Sequence, residues 1–122
     1  GVEDGLKLAR NVRYREESAG LLGNYRRIHT TIEVEVASTL PSEVELDLLE
    51  RIPVAGHDDI TVELVGSEPR ALVYEGEPEG PILEGGRRQR LHLPPGAKRK
   101  ASLHYSVTLG NRQEIAGGDR RG

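Results

Sequence analysis

The sequence predicts an all-β fold in which two antiparallel sheets stack around one core. Three observations carry that expectation. Apolar and polar residues alternate at period two through most of the chain. The alternating apolar residues are mainly Val, Ile and Leu, and no segment carries an apolar stripe at helical spacing. Branched side chains with charge at every second position suit a half-buried strand and make a poor helix.

Taken in order, an opening strand runs through Leu6, Leu8, Val12 and Tyr14, interrupted by Arg10. Glu16–Leu22 has room for one helical turn at most, and Gly20 and Gly23 flank the first turn. The clearest strand is Ile28–Val36, apolar or Thr at even positions and polar, mostly charged, at the later odd ones. After Pro41-Ser42, residues Val44, Leu46 and Leu48 alternate with Glu43, Glu45 and Asp47. The turn Gly56-His57-Asp58-Asp59 leads to Ile60, Val62 and Leu64. Weaker strands lie at Ala71–Glu75 and Gln89–Leu93, separated by the Gly-, Pro- and Glu-rich loop Gly76–Gly86, which is expected to be mobile. The last strand places Leu103, Tyr105, Val107 and Leu109 opposite Ser102, His104, Ser106 and Thr108. About seven short strands at this spacing point to an immunoglobulin-like antiparallel sandwich of seven to eight strands, a single domain over residues 1–122. Its expected core is Ile28, Ile32, Val34, Val36, Val44, Leu46, Leu48, Ile60, Val62, Leu64, Leu91, Leu93, Leu103, Tyr105 and Val107.

Register sharpens one connection. Leu91 and Leu93 precede Pro94-Pro95-Gly96, and Leu103, Tyr105 and Val107 follow it, all at odd positions. A two-residue hairpin at Pro95-Gly96 pairs odd residues with even ones and turns one apolar set to water. An arch from one sheet to the other removes the conflict and is the expected geometry.

Composition narrows the function classes. With 17 Lys and Arg against 20 Asp and Glu, the net charge is −3, so bulk charge drives the chain toward neither nucleic acid nor an anionic membrane. No cysteine is present, which removes disulfides and thiolate metal sites and leaves the compartment open. Aromatics are four Tyr only, little material for a stacking platform. No apolar run is long enough to span a bilayer. The chain opens at Gly1 and holds no Met, as expected of a piece of a longer protein.

Candidate chemistry is sparse. His29, His92 and His104 occupy polar positions of strands expected to lie in different sheets, so no convergent metal site is expected. Asp58 and Asp59 beside His57 lack the spaced carboxylates of a calcium loop and are expected to fix the turn by accepting backbone N–H bonds. No nucleophile elbow occurs, and the carboxylates of Glu33, Glu35, Glu43 and Glu45 belong to solvated faces. No catalytic residue and no cofactor are expected. Arg87, Arg88 and Arg90, with Lys98, Arg99 and Lys100, form two basic clusters. If their strands adjoin, they make one patch for an anionic partner; otherwise they serve as a charged sheet edge that resists strand-to-strand association.

The segment Arg51-Ile52-Pro53-Val54-Ala55-Gly56-His57-Asp58-Asp59-Ile60-Thr61-Val62 resembles a signature of the C-terminal domain of mucoidy-inhibitor-A-like proteins, a bacterial family. There, Ile-Pro-Val precedes a short acidic loop and a strand beginning Ile-x-Val. Leu93–Val107 is similar to that family's Pro-Gly turn and Tyr-x-Val strand, and Glu114-Ile115-Ala116-Gly117 to its closing segment. Gly1-Val2-Glu3-Asp4 and Gly20–Arg27 also sit where relatives have comparable residues. The chain departs in having Ser38 where Asn is frequent, no aromatic among Leu91, His92 and Leu93, and an expanded Gly76–Arg88 loop. The resemblance implies a β-sandwich at the end of a longer protein, behind another β domain and a coiled coil, with no catalytic residues. The expected function is a structural or protein-interaction module whose partners are other domains of its parent chain, another protein or a second copy. Binding of an envelope polysaccharide or another anionic ligand through the basic clusters is the alternative.

Overall fold

The computed structural model describes residues 5–110. Its strands are β1 (Leu6–Ala19), β2 (Tyr25–Ser38), β3 (Val44–Arg51), β4 (Ile60–Glu68), β5 (Leu72–Val73), β6 (Gly86–Leu93) and β7 (Lys98–Gly110). They form two antiparallel sheets: a long one in the order β1-β2-β7-β4 and a short one in the order β3-β6-β5. The chain is a β-sandwich. The sheets hold four and three strands, but the order departs from the 1-2-5-4 over 3-6-7 of a constant-type immunoglobulin domain, the fifth and seventh strands having exchanged places.

Every segment expected to be extended contains a strand, but that expected over Ala71–Glu75 is reduced to Leu72–Val73, and the first runs further than its alternation suggests. Glu16–Ala19 continues β1 and pairs with Tyr25–Ile28, so no helical turn forms there. The Pro-Gly connection is an arch, with β6 in the short sheet and β7 in the long one. The Ala97 N–H donates to Pro94 O at 3.0 Å and Gly96 adopts φ +74°, the left-handed second corner of a type II turn. The Ala97 carbonyl then accepts from Ser38 N–H at 2.9 Å, tying the arch to the end of β2. The loop after β5 carries its own backbone bonds, Leu83 N–H to Glu75 O and Gly80 N–H to Glu77 O, both 3.0 Å.

The core joins Leu6, Ile32, Val34, Val36, Leu48, Ile52, Leu91, Leu93, Ala101 and Leu103. Val44, Leu46, Val62, Leu64 and Tyr105 pack against it half-buried. Gln89 crosses it: the buried side-chain amide donates to Pro69 O at 2.8 Å and to Ser102 O at 2.9 Å, linking the short sheet to β7. That bond satisfies a polar group which, unpaired, would destabilise the interior by about 1–3 kcal/mol.

The sheets differ in length. β1, β2 and β7 hold 14, 14 and 13 residues, whereas β3 and β6 hold eight each and β5 two. The short sheet therefore covers only part of the long one. Along β2, Thr30, Ile32, Val34, Val36 and Ser38 are buried, but Ile28 is only half-buried. Along β7, Ala101 and Leu103 are 1% exposed, while Val107 and Leu109 are half-buried. Ile28, Ile60 and Val107, expected in the core, thus lie outside its buried cluster. They have the parity of core residues and lack the facing strands.

Candidate functional site

The open end of the long sheet follows directly from the pairing. Glu16, Ile28, Val107 and Val62 stand in one cross-strand row on the inner face, and Ser18, Arg26, Leu109 and Ile60 in the row beyond it. On the edge strand β1, Tyr14, paired with Thr30 beside these rows, is 73% exposed, whereas Leu8, 48% exposed, pairs with Val36 at the opposite, closed end. Leu21 and Leu22, at the β1–β2 turn, are almost wholly exposed, and Tyr25 is 42% exposed. Arg10 closes β1 against the short sheet, its guanidinium gripping Glu50 through bonds of 2.9 and 3.1 Å. Apolar groups concentrated at one end of a sandwich, with Tyr at the border, have the composition of an interface rather than a random surface.

The signature segment borders this end. Arg51, Ile52, Pro53 and Val54 leave the short sheet and, with Glu84 and Tyr105, line a shallow open groove. Ile52 is buried, and its N–H donates to Gly85 O at 2.9 Å. Gly85 has φ +75°, and a Cβ there would collide with the Ile52 carbonyl, so the segment's seat requires glycine. Val54 is 56% exposed and Asp58 and Asp59 are solvent-facing. Within the turn, Asp59 N–H donates to His57 Nδ1 at 3.3 Å, and Ile60 N–H to His57 O at 3.1 Å.

The basic clusters do not meet. Arg88 and Arg90 project from the outer face of the short sheet, whereas Lys98 and Lys100 project from the outer face of the long sheet, on the opposite side of the sandwich. Arg87 and Arg99 have the inward parity of their strands, and each donates to a neighbouring carbonyl, Gly86 O and Lys98 O, at 3.0 Å. Arg90 is paired in a fork with Asp47, at 2.8 and 3.2 Å, and this pairing holds the Asp47 carboxyl below the usual carboxylate range. Arg88 lies over the Tyr74 ring, and His92 meets Glu43. Among the described residues, β5 pairs with β6 only at Arg87 and Arg88, and β4 reaches β7 only from Ser102 onward, so Arg90 and Lys98–Lys100 sit on stretches of strand with one side unpaired; the edge strand β1 also carries charge, at Lys7, Arg10, Arg13 and Arg15.

Two of the three strand histidines do converge, against the expectation that their strands belong to different sheets. β2 and β7 are neighbours, and His29 Nδ1 lies 2.9 Å from His104 Nε2 on the outer face of the long sheet. His29 Nε2 lies 2.8 Å from Glu17 Oε2, and this bond holds the Glu17 carboxyl below its ordinary value. Burial, reinforced by His29 and Arg15, pushes the His104 imidazole below its ordinary value. Arg13, Tyr14, Arg15 and Thr31 complete the rim of a depression around the two rings. Parity alone showed both side chains on a polar face; the strand order that joins them is a long-range fact no local pattern carries.

Among the described residues, no helix is long and apolar enough to cross a membrane. No curated protein and no solved structure matched the chain in either search. The family described as Domain of unknown function (DUF4139) matches residues 1–111, a span that includes the whole sandwich, the signature segment and the opening Gly1–Asp4; Glu114–Gly117 falls beyond it, and both terminal stretches lie outside the described residues. By that match over nearly its full length, the chain belongs to this family.

Proposed function

We propose that this sandwich is a non-catalytic protein-interaction module that docks through the open end of its long sheet. The observation that carries the reading is the mismatch of sheet lengths, which leaves Ile28, Val107, Leu109 and Ile60 with core parity and no facing strand. Alternating apolar residues are retained there although no second sheet covers them, and Tyr14 stands at the border. A packed partner would remove this apolar area from water, at roughly 25 cal/mol per Å². The partner we favour is another part of the parent chain, in line with the resemblance to the terminal domain of mucoidy-inhibitor-A-like proteins. The anionic-ligand reading loses support because its two cation clusters face opposite ways.

A photo-crosslinking residue at Ile28 or Tyr14 of the full-length protein, in its native cells, tests the proposal. Crosslinks to one defined polypeptide segment are expected from these sites, and none from Glu63 on the outer face. Equal crosslinking from both faces, or none from the open end, counts against it.

A further inference from the structure

We propose that β1 is a docking strand for a second copy of this chain, joining two long sheets edge to edge in one antiparallel register. It is a different surface from the open end of the inner face, and the two stand or fall separately.

The four edge strands are not alike. β4 is broken by a register shift between Leu64 and Gly66 and runs into Pro69. β5 has two residues, and β3 lies between Pro41 and Pro53. Bulges, prolines and short length each keep a strand from pairing with another chain. Among the described residues β1 has none of them. Its register with β2 runs without a shift from Leu6 to Ala19, and every second N–H and C=O along its outer side faces no strand. Charge is the remaining guard, and most of it is neutralised within the chain: Arg10 pairs with Glu50, Arg13 with Glu33 and Arg15 with Glu17.

What charge does is select the register. A two-fold axis normal to the sheet keeps the two inner faces together only if residues of equal parity oppose each other. The longest such pairings centre on Asn11, Val12, Arg13 or Tyr14. Centring on Asn11 sets Lys7 opposite Arg15, on Arg13 sets Arg13 opposite itself, and on Tyr14 sets Arg13 opposite Arg15. Like charges directly opposed destabilise a sheet. Centred on Val12, Leu6–Ser18 pairs with the same stretch of the second copy, and no like charges oppose directly. On the outer face Lys7 then meets the second copy's Glu17, Ala9 its Arg15 and Asn11 its Arg13. On the inner face Val12 meets its own counterpart, Leu8 the stem of Glu16, and Tyr14, 73% exposed, lies beside Arg10. Because the two strands run antiparallel, the open ends of the two copies point away from each other and stay accessible.

The test is sedimentation equilibrium of the tag-free 122-residue protein from micromolar to near-millimolar concentration. A monomer–dimer equilibrium is expected. Lys7→Glu, at an exposed position, should weaken it about 10-fold by setting like charges opposite each other twice per dimer. Glu17→Lys should do the same, and the double variant should restore it. The chain has no cysteine, so Val12→Cys should form a covalent dimer in air through its facing thiols. Lys7→Cys, which faces Glu17 and not its own counterpart, should not. Should Glu17→Lys fail to fold by circular dichroism, Lys7→Glu and the two cysteine variants still decide the matter. A monomer at every concentration, a dimer indifferent to Lys7→Glu, or equal crosslinking of Val12→Cys and Lys7→Cys overturns the proposal. A dimer lost in Ile28→Lys and kept in Lys7→Glu also overturns it, by placing the contact at the open end.

Discussion

The two ends of β2 are built on the same alternation and meet different fates. From Thr30 to Ser38 its even residues lie under the short sheet, and Val36 is completely buried. Two residues earlier in the same series, Ile28 lies beyond that cover and keeps part of its surface in water. Side-chain parity decides which face of a sheet a residue occupies, but only the length of the opposing strands decides whether that face is closed. The difference separates residues that hold the fold from residues held in readiness for a partner.

Substitutions should divide along this line. Leu93→Ala and Leu103→Ala, both in the closed half, should each destabilise the domain by about 2–5 kcal/mol in denaturant unfolding, since the cavity has little room to collapse. Gln89→Ala should cost about 1–3 kcal/mol, because the carbonyls of Pro69 and Ser102 lose their donor inside the sandwich. Ile28→Ala or Val107→Ala, by contrast, should cost about 1 kcal/mol or less in the 122-residue chain. The same substitutions should weaken docking in the full-length protein, which would sharpen the comparison; a core-sized loss in the short chain would break it.

The smallest effect belongs to the surface pair of Arg90 and Asp47. Because Arg90 lowers the Asp47 pKa in the folded state, the pair's contribution is present above the ordinary carboxylate value. It is lost as pH falls through the depressed folded one. Arg90→Gln should raise the Asp47 pKa toward the ordinary carboxylate value, visible by carboxyl NMR, and weaken that acid-side dependence, with Arg88 left as the smaller remaining influence. An unchanged Asp47 titration would show that the fork is not formed in solution.

Much of the fold was legible because strand signals are local. All seven strands and the Pro94–Ala97 arch follow from alternation and parity, and the arch followed from the clash that a hairpin would create between Leu91 and Leu103. Strand order was not legible. It alone puts His29 beside His104, separates Arg90 from Lys100, and makes β1 an edge. The burial of Ile28, Ile60 and Val107 was overestimated for a related reason, since a residue's own strand carries no record of how far its facing strands extend. Gln89 was read as an ordinary strand residue, although an amide at core parity between Arg88 and Arg90 is the one available sign of a buried polar tie.

The chain has no cysteine, so single thiols report cover directly. Val36→Cys and Ile28→Cys place one thiol on the same face of the same strand, eight residues apart. Under native conditions the thiol at 28, half-buried, should react with a small maleimide without waiting for the domain to unfold. The thiol at 36 should react only as fast as the domain unfolds. Equal protection at both positions would contradict an open end to the long sheet.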